Sequence, residues 1–271
     1  MKKTILITGA TSGIGLVIAS YLHQKGCKVY GTSRNPEKAG GKFPFEILEL
    51  DITSGESIQK CVETVLSKTP VIDVLINNAG IGVCGSAEET SMEQAYKQLE
   101  INFWGAVKMT RAILPVMRRQ HSGRIITIGS LAGIVGVPFQ SYYSASKHAL
   151  EGFFKTLRIE VRSFNIQISL IEPGFFRSNL HHSFEYASTA IRDYDQIRKN
   201  ALAVLAGSIE KASTPEPVAR IVLKILNAKN PRFSYRVGKN SWIAPLLQFL
   251  FFRGYEFGVR MKFIGWGRQV K

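Results

Sequence analysis

The sequence predicts an α/β protein of one domain, in which helices cover both faces of a doubly wound parallel sheet. Short apolar segments rich in β-branched residues alternate with longer segments in which apolar residues repeat at helical spacing. That alternation is typical of a parallel sheet buried between helices. A length of 271 residues also fits one large domain, spanning 1–271. The predicted strands are residues 4–8, 28–32, 45–50, 74–77, 124–129, 167–171 and 233–237.

The first predicted strand leads directly into a glycine-rich turn. Gly9, Gly13 and Gly15 separate it from a helix whose apolar residues repeat until Gly26. Glycines allow positive φ and close backbone approach, and the start of a helix presents free N–H groups to an anion. The turn is therefore a candidate phosphate site, but an ordinary turn between a strand and a helix explains this motif alone equally well.

A tyrosine and a lysine lie four positions apart in residues 140–163, which otherwise have a helical pattern. This spacing places the side chains of Tyr143 and Lys147 on one helix face, about one turn apart. A neighbouring ammonium group favours the phenolate, so we expect it to lower the pKa of Tyr143 and to allow proton exchange with an alcohol or carbonyl. The alternative is that the two side chains share a face without any chemical role.

Motifs in several separate segments resemble those of the short-chain dehydrogenase/reductases. They occur in that family's order and extend over about residues 4 to 180, and residues 135–152 are similar to the branch with 17-beta-hydroxysteroid and retinol dehydrogenases. The resemblance implies a Rossmann-type fold and hydride transfer between a nicotinamide cofactor and a substrate. The motifs are residues 8–15 (TGATSGIG), 77–80 (NNAG), Asn102, Ser130, Tyr143 with Lys147, and 173–174 (PG).

The resemblance assigns the catalytic chemistry to four side chains. Tyr143 is the proton donor to a carbonyl oxygen that gathers negative charge as hydride arrives, and Ser130 shares that oxygen through its hydroxyl. Lys147 also holds the nicotinamide ribose, and Asn102 anchors a water relay to the lysine. Tyr142 is the rival proton donor, but the residue four positions after it is a serine, which cannot lower a pKa electrostatically.

The end of the second strand indicates which cofactor is bound. Members of the family that prefer NAD usually place an acidic residue where Ser33 stands, whereas here a hydroxyl is followed by Arg34. A guanidinium group would pair with a 2′-phosphate that a carboxylate would repel. NADP(H) is therefore predicted, although Ser12 stands where some NADP-binding members carry a basic residue. The resemblance assigns further cofactor contacts to Gly9, Thr11, Ser12, Gly13, Ile14, Gly15, Asp51, Ile52, Asn78, Ala79, Gly80, Tyr143, Lys147, Pro173, Gly174, Phe176 and Ser178.

Residues 175–212 resemble the family's substrate-covering lid. Aromatic side chains in and before this segment suggest an apolar pocket suited to a sterol, a retinoid or a long aliphatic carbonyl. The predicted function is an NADP(H)-dependent oxidoreductase acting on the carbonyl or secondary alcohol of a lipophilic substrate. In the alternative interpretation, several of these aromatic residues only pack the lid onto the core. The predicted substrate contacts are Ser130, Phe139, Tyr142, Tyr143, Phe175 and Phe184.

The cysteine content favours a reducing compartment. Cys27, Cys61 and Cys84 are too few and too scattered for a disulfide framework or a zinc site. His181 and His182 have no carboxylate or cysteine at ligand spacing, so no metal site is predicted. No apolar run reaches the ~18 residues that a membrane span needs. We therefore expect a cytoplasmic protein. A homodimer or homotetramer is also expected.

The net charge of +15 is concentrated near the end of the chain. Residues 224–271 contain ten basic side chains and one acidic one, Glu256, and residues 241–271 form a basic aromatic C-terminal extension. Three interpretations are open: a solvated face packed by its aromatic residues, peripheral attachment to anionic lipid, and binding of nucleic acid. Basic residues mixed with Trp and Phe suit a helix lying among lipid headgroups. No nucleic-acid partner is expected, because no recognition motif accompanies the charge.

Two functions without significant turnover are alternatives to an enzyme. The first is a binding protein that senses the redox state of NADP(H), and the second is a peripheral membrane-binding protein. A sensor has no need of a proton relay, so the presence of Asn102, Ser130, Tyr143 and Lys147 argues for catalysis.

Overall fold

A computed structural model of the protein describes residues 3–39, 43–177, 184–239 and 241–264. Its centre is a seven-stranded sheet in the order β3-β2-β1-β4-β6-β7-β9, in which every neighbouring pair is parallel. The predicted doubly wound α/β fold is therefore confirmed. The strands are β1 (Thr4–Ile7), β2 (Lys28–Ser33), β3 (Glu46–Glu49), β4 (Val74–Asn77), β5 (Gly82–Cys84), β6 (Gly123–Ile128), β7 (Ile166–Pro173), β8 (Phe184–Tyr186) and β9 (Ser234–Val237).

Helices cover both faces of this sheet. None of those in the described residues is long and apolar enough to cross a membrane. A π-helical turn, Glu100–Trp104, joins the fourth helix to the fifth. The helices are α1 (Gly13–Gln24), α2 (Pro36–Ala39), α3 (Gly55–Lys68), α4 (Met92–Leu99), α5 (Gly105–Gln120), α6 (Ser141–Glu160), α7 (Asp195–Glu210), α8 (Glu216–Asn227), α9 (Ile243–Leu250) and α10 (Phe252–Phe263).

Alternating side chains of the strands pack in two apolar layers. Leu6 of β1 lies in the layer covered by α3, α5 and α6, whereas Ile5 and Ile7 lie in the layer covered by α1 and α8. This follows from the period of two in a strand, and it explains why the strands have nearly continuous apolar sequences. Burying one large apolar side chain contributes about 1.5–3 kcal/mol, so the two layers fix the position of the sheet.

The direction of chain progression reverses between β1 and β4. From β1 the chain proceeds to β2 and β3 on one side, and from β4 it proceeds to β6, β7 and β9 on the other. Loops leaving the carboxyl ends of these two strands therefore diverge, and a crevice opens between them. The glycine turn after β1 and the segment 77–80 after β4 lie at this crevice.

The described part of residues 175–212, the segment predicted to cover the substrate, contains more regular structure than its sequence pattern indicates. The short strand β8 pairs in parallel with β5, which places Phe184 opposite Gly82. Ala201 and Leu205 of α7 belong to a third apolar cluster. Its other buried members are Cys84, Phe139 and Phe263. Glu89, whose side chain is fully buried, accepts a hydrogen bond from the Ile191 backbone and forms an ion pair with Arg198 of α7. These contacts attach β8 and α7 to the segment that follows β4.

Candidate active site

The glycine turn forms a cradle at the start of α1. Gly9 and Gly13 have φ values of 67° and 55°, in the left-handed region that favours glycine. A Cβ atom on Gly15 would collide with the Gly9 carbonyl oxygen. Ser12, the N-cap of α1, makes no side-chain capping bond. The first N–H groups of the helix can therefore serve an anion, as a cofactor phosphate requires.

The cradle is joined to the end of β4 by hydrogen bonds. The Thr8 hydroxyl accepts from the backbone N–H groups of Asn78 and Ala79 at 2.9 and 3.0 Å. The Asn78 side-chain amide donates to the carbonyl oxygens of Thr8 and Gly9, both at 2.9 Å. The two loops at the point of reversal therefore form one fixed unit.

A cleft of about 590 Å³ begins at this unit and extends along the crevice. Its lining fits a nicotinamide dinucleotide, because the glycine cradle lies in its middle and the predicted catalytic pair at one end. Lys97 and Glu100 also line it and were not predicted. The predicted cofactor residues that line it are Gly9, Thr11, Ser12, Gly13, Ile14, Gly15, Ser33, Arg34, Asp51, Ile52, Asn78, Ala79, Gly80, Tyr143 and Lys147.

At the far end of the cleft, Arg34 is exposed beside Ser33. The Asp51 carboxylate accepts hydrogen bonds from the Thr53 backbone and hydroxyl at 2.9 and 2.7 Å. Those bonds, and then the positive charge of Arg34, lower the pKa of Asp51. This end of the cleft therefore holds a cation, a hydroxyl and a carboxylate that stays ionised at neutral pH.

At the other end, α6 brings Tyr143 and Lys147 together. The Lys147 ammonium nitrogen lies 5.7 Å from the centroid of the Tyr143 ring and donates to the Ile128 carbonyl oxygen at 3.0 Å. Ser130, two residues after Ile128, lies close enough to the Tyr143 side chain to affect its pKa. The end of β6 therefore positions both the lysine and the hydroxyl beside the tyrosine.

Burial controls the titration of this pair. It raises the pKa of Tyr143, an effect that the nearby Ser130 hydroxyl partly opposes, and it lowers the pKa of Lys147 to about 8. The sequence predicts a lowered pKa for the tyrosine. The structure gives the opposite direction, because removal of water disfavours the phenolate and also disfavours the ammonium charge that was expected to stabilise it.

One turn further along α6, Glu151 lies close enough to Lys147 for its charge to raise the lysine pKa. Burial and the neighbouring Glu172 raise the pKa of Glu151 itself to about 8. Its Oε1 atom is buried and accepts no hydrogen bond within the described residues. The carboxyl and the ammonium group therefore titrate in the same range of pH.

Asn102 occupies the π-helical turn between α4 and α5. Its side chain accepts from the Ile81 N–H at 2.8 Å and donates to the Ile81 carbonyl at 2.9 Å. It also donates at 3.1 Å to the Ser146 hydroxyl, which donates to the Tyr143 carbonyl at 2.7 Å. The wider turn thus connects the loop after β4 to the residue preceding Lys147. Such turns often occur at functional sites.

A second cavity, of about 530 Å³, opens beside Tyr143 and is mostly apolar. Helix α7 supplies Leu205 and Ile209, and helices α9 and α10 supply a further wall that sequence reasoning missed. Apolar residues at positions 243, 246, 247 and 250 have helical spacing and could have revealed that wall. The predicted residues that line this cavity are Ile14, Ser130, Tyr143, Pro173, Gly174, Phe175, Phe176 and Phe184, whereas Ser178 lies outside the described residues.

Two predicted substrate contacts do not line this cavity. Phe139 is buried in the third apolar cluster, where its ring packs edge-on against Tyr194 with the centroids 6.3 Å apart. The hydroxyl of Tyr142 donates to the Ala87 carbonyl at 3.3 Å. Tyr142 and Tyr143 are consecutive on a helix and point in directions about 100° apart, so only Tyr143 reaches the cavity.

The comparisons with known proteins agree with this geometry. A family model described as short chain dehydrogenase matches residues 3–188, which include the glycine turn and the tyrosine–lysine pair. The chain belongs to the short-chain dehydrogenase/reductase family. It is therefore an oxidoreductase that uses a nicotinamide cofactor and acts on CH–OH or keto groups.

Relatives of this family member share most of its length. A 3-ketodihydrosphingosine reductase of Bacteroides thetaiotaomicron is 38% identical over 251 residues, which cover 92% of this chain and 90% of the relative. Retinol dehydrogenase 8 of Bos taurus is 32% identical over 265 residues, covering 90% and 84%. The crystal structure of a short-chain dehydrogenase from Streptomyces avermitilis has a TM-score of 0.79 and 30% identity, covering 98% and 96%. The predicted resemblance to the retinol dehydrogenase branch is confirmed.

Within the described residues, no cluster of three or more histidine, cysteine, aspartate or glutamate side chains could hold a metal ion. His181 and His182 lie outside the described residues.

Proposed function

We propose that this protein is an NADP(H)-dependent reductase of a keto group carried on a long apolar substrate. The observation that carries the proposal is the cavity of about 530 Å³, whose apolar walls end at Tyr143 and Ser130. An apolar pocket with a few convergent polar groups is the usual form of a small-molecule site. The hydroxyl groups then hold the keto oxygen while the hydrocarbon part occupies the remaining space.

In the proposed reaction the bound nicotinamide supplies hydride to the keto carbon. Tyr143 donates its phenolic proton to the keto oxygen, which becomes the hydroxyl of a secondary alcohol. Ser130 donates a hydrogen bond to the same oxygen and stabilises its developing negative charge. Lys147 stabilises the resulting phenolate, and its ammonium group can return a proton to it. Asn102 keeps this part of α6 in place through Ser146.

Two relatives support a long hydrocarbon substrate. The Bacteroides relative is named as a 3-ketodihydrosphingosine reductase, and the Bos taurus relative is named as a retinol dehydrogenase. The first relative is the more similar of the two, so the proposal gives priority to a keto group on a long alkyl chain. In this proposal residues 175–212 cover the substrate.

The cofactor preference rests on charge at the far end of the cleft. Arg34 is exposed there next to Ser33. A 2′-phosphate would gain a charge-assisted hydrogen bond from the guanidinium group, and no acidic residue stands at position 33 to repel it. We therefore propose NADP(H) as the cofactor.

The test is an NADPH oxidation assay with 3-ketodihydrosphingosine and with methyl ketones that differ only in alkyl-chain length. One buried methylene contributes about 0.8 kcal/mol, so kcat/KM is expected to rise roughly fourfold per added methylene until the cavity is filled. Retinal and a steroid ketone are the competitors. A kcat/KM that does not depend on chain length would contradict the proposed substrate class, and so would a preference for a steroid.

A further inference from the structure

Helix α9 presents an apolar stripe that the rest of the described structure leaves uncovered. Ile243, Leu246, Leu247 and Leu250 recur at helical spacing, and all four are exposed. In a globular protein, a stripe with this spacing normally faces the core. Here the buried member of α9 is Pro245, on another side of the helix.

Aromatic residues near the end of α9 and at the start of α10 extend this stripe. Phe249 is 85% exposed, and Phe252 is exposed as well. Soluble proteins seldom expose a contiguous apolar area of this kind unless it meets another surface. We name this area the hairpin surface; its residues are Ile243, Leu246, Leu247, Phe249, Leu250 and Phe252.

The hairpin surface belongs to a segment that is anchored to the domain. The Gln248 side chain donates to the Ile134 carbonyl at 3.0 Å, and the Tyr255 hydroxyl donates to the Gly136 carbonyl at 3.2 Å. Phe263, near the end of α10, is buried against α7 in the third apolar cluster. The exposed side chains therefore project from a fixed base.

The charge around the hairpin surface selects an anionic partner. Lys239, Arg253, Arg260 and Lys262 are exposed in the same part of the chain, where Glu256 is the acidic residue. A symmetric dimer would place this patch against its own copy, so the basic residues of both copies would repel each other. Basic side chains beside exposed Phe and Leu instead match the headgroup region of a membrane with anionic lipids.

The hairpin surface is also continuous with the proposed substrate site. Ile243 and Leu247 are exposed on one side and line the cavity of about 530 Å³ on the other. A surface that enters the headgroup region would therefore bring the mouth of the cavity to the acyl chains.

We propose that the hairpin surface docks onto anionic lipid bilayers, so that an apolar substrate passes between the bilayer and the cavity. The proposal of lipid binding is based on the exposed apolar residues and the basic charge. It does not depend on the proposed substrate class.

The experiment is co-sedimentation of the full chain with vesicles of phosphatidylcholine and phosphatidylglycerol, compared with vesicles of phosphatidylcholine alone. Binding is expected only to the anionic vesicles and is expected to weaken in high salt. The double variant Phe249→Glu, Phe252→Glu should weaken it by at least about tenfold, because two aromatic side chains no longer enter the lipid. Arg253→Ala should weaken it about fivefold.

Ile159→Glu is the matched control, because Ile159 of α6 is 76% exposed and lies outside the hairpin surface. It should bind vesicles as the wild type does, and thermal unfolding midpoints should show that all variants are folded. Equal binding by the double variant and the wild type would overturn the proposal. So would a wild type that ignores anionic vesicles and forms dimers that the double variant loses, since a second copy would then cover the hairpin surface.

Discussion

Replacement of Arg34 by alanine tests the proposed cofactor preference, because this side chain lines the cleft but belongs to neither the glycine cradle nor the catalytic pair. Arg34 makes no hydrogen bond or ion pair within the described residues, so its loss removes few contacts from the folded chain itself. The neighbouring Asp51 stays ionised in the variant because the Thr53 hydrogen bonds lower its pKa. The variant therefore keeps the negative charge at this end of the cleft and loses the positive one.

The expected loss follows from the charged hydrogen bond. A hydrogen bond to a charged group contributes about 1.5–3 kcal/mol, and 1.4 kcal/mol corresponds to tenfold in affinity. Arg34→Ala should therefore weaken NADPH binding roughly 10- to 100-fold. The dissociation constant of NADH should change little, because NADH has no 2′-phosphate. Adding Ser33→Asp should move the preference further toward NADH, through repulsion of the phosphate and a new acceptor for the ribose.

The assay is a pair of dissociation constants, for NADPH and NADH, measured by titration of tyrosine and tryptophan fluorescence. Arg111→Ala is the control, since Arg111 is an exposed arginine of α5 that does not line the cleft. The control should leave both constants nearly unchanged. Equal losses for NADPH and NADH in Arg34→Ala would refute the reasoning, because Arg34 would then contact a part common to both cofactors or support the fold.

Two further predictions concern the catalytic end of the cleft. Tyr143→Phe should lower turnover by ~10²- to 10⁴-fold while NADPH binding persists, because it removes the proton donor. Tyr142→Phe is the matched control and should keep its turnover. Near-normal turnover by Tyr143→Phe would contradict the assignment. In steady-state assays across pH, kcat/KM for ketone reduction should fall as pH rises through about 8, because the buried Lys147 loses its proton there. Glu151→Gln should move this fall to lower pH, since the Glu151 carboxylate raises the lysine pKa; an unchanged profile in that variant would show that another group controls it.

Local sequence patterns predicted the central sheet, whereas most residues of the cofactor cleft were assigned by resemblance to the family. Strands such as β1 and β4 are short apolar runs that the sequence shows directly. The parallel pairing of β5 with β8 could not be predicted, because strands of three residues are too short to show a period. The directions of the pKa shifts of Tyr143 and Lys147 depend on burial by distant segments, which residue spacing does not reveal.

The apolar cavity beside Tyr143 was predicted least completely, because its walls come from segments that lie far apart in the chain. Aromatic content alone could not distinguish Phe184, which lines the cavity, from Phe139, which packs against Tyr194. The contribution of α9 and α10 arises from contacts between segments more than a hundred residues apart, such as the bond from Gln248 to Ile134. Only the folded chain brings these segments together.

Because α9 and α10 come late in the chain, changes to the cavity wall can occur separately from changes to the cofactor and catalytic residues. The family model matches residues 3–188, whereas part of the cavity wall is built by the helices Ile243–Leu250 and Phe252–Phe263. Insertions, deletions or exchanges in this terminal hairpin would reshape the apolar cavity and leave Tyr143, Ser130 and the glycine turn untouched. The fold thus offers a modular route to new cavity shapes, in evolution or in protein engineering, through a segment that follows the last strand of the sheet.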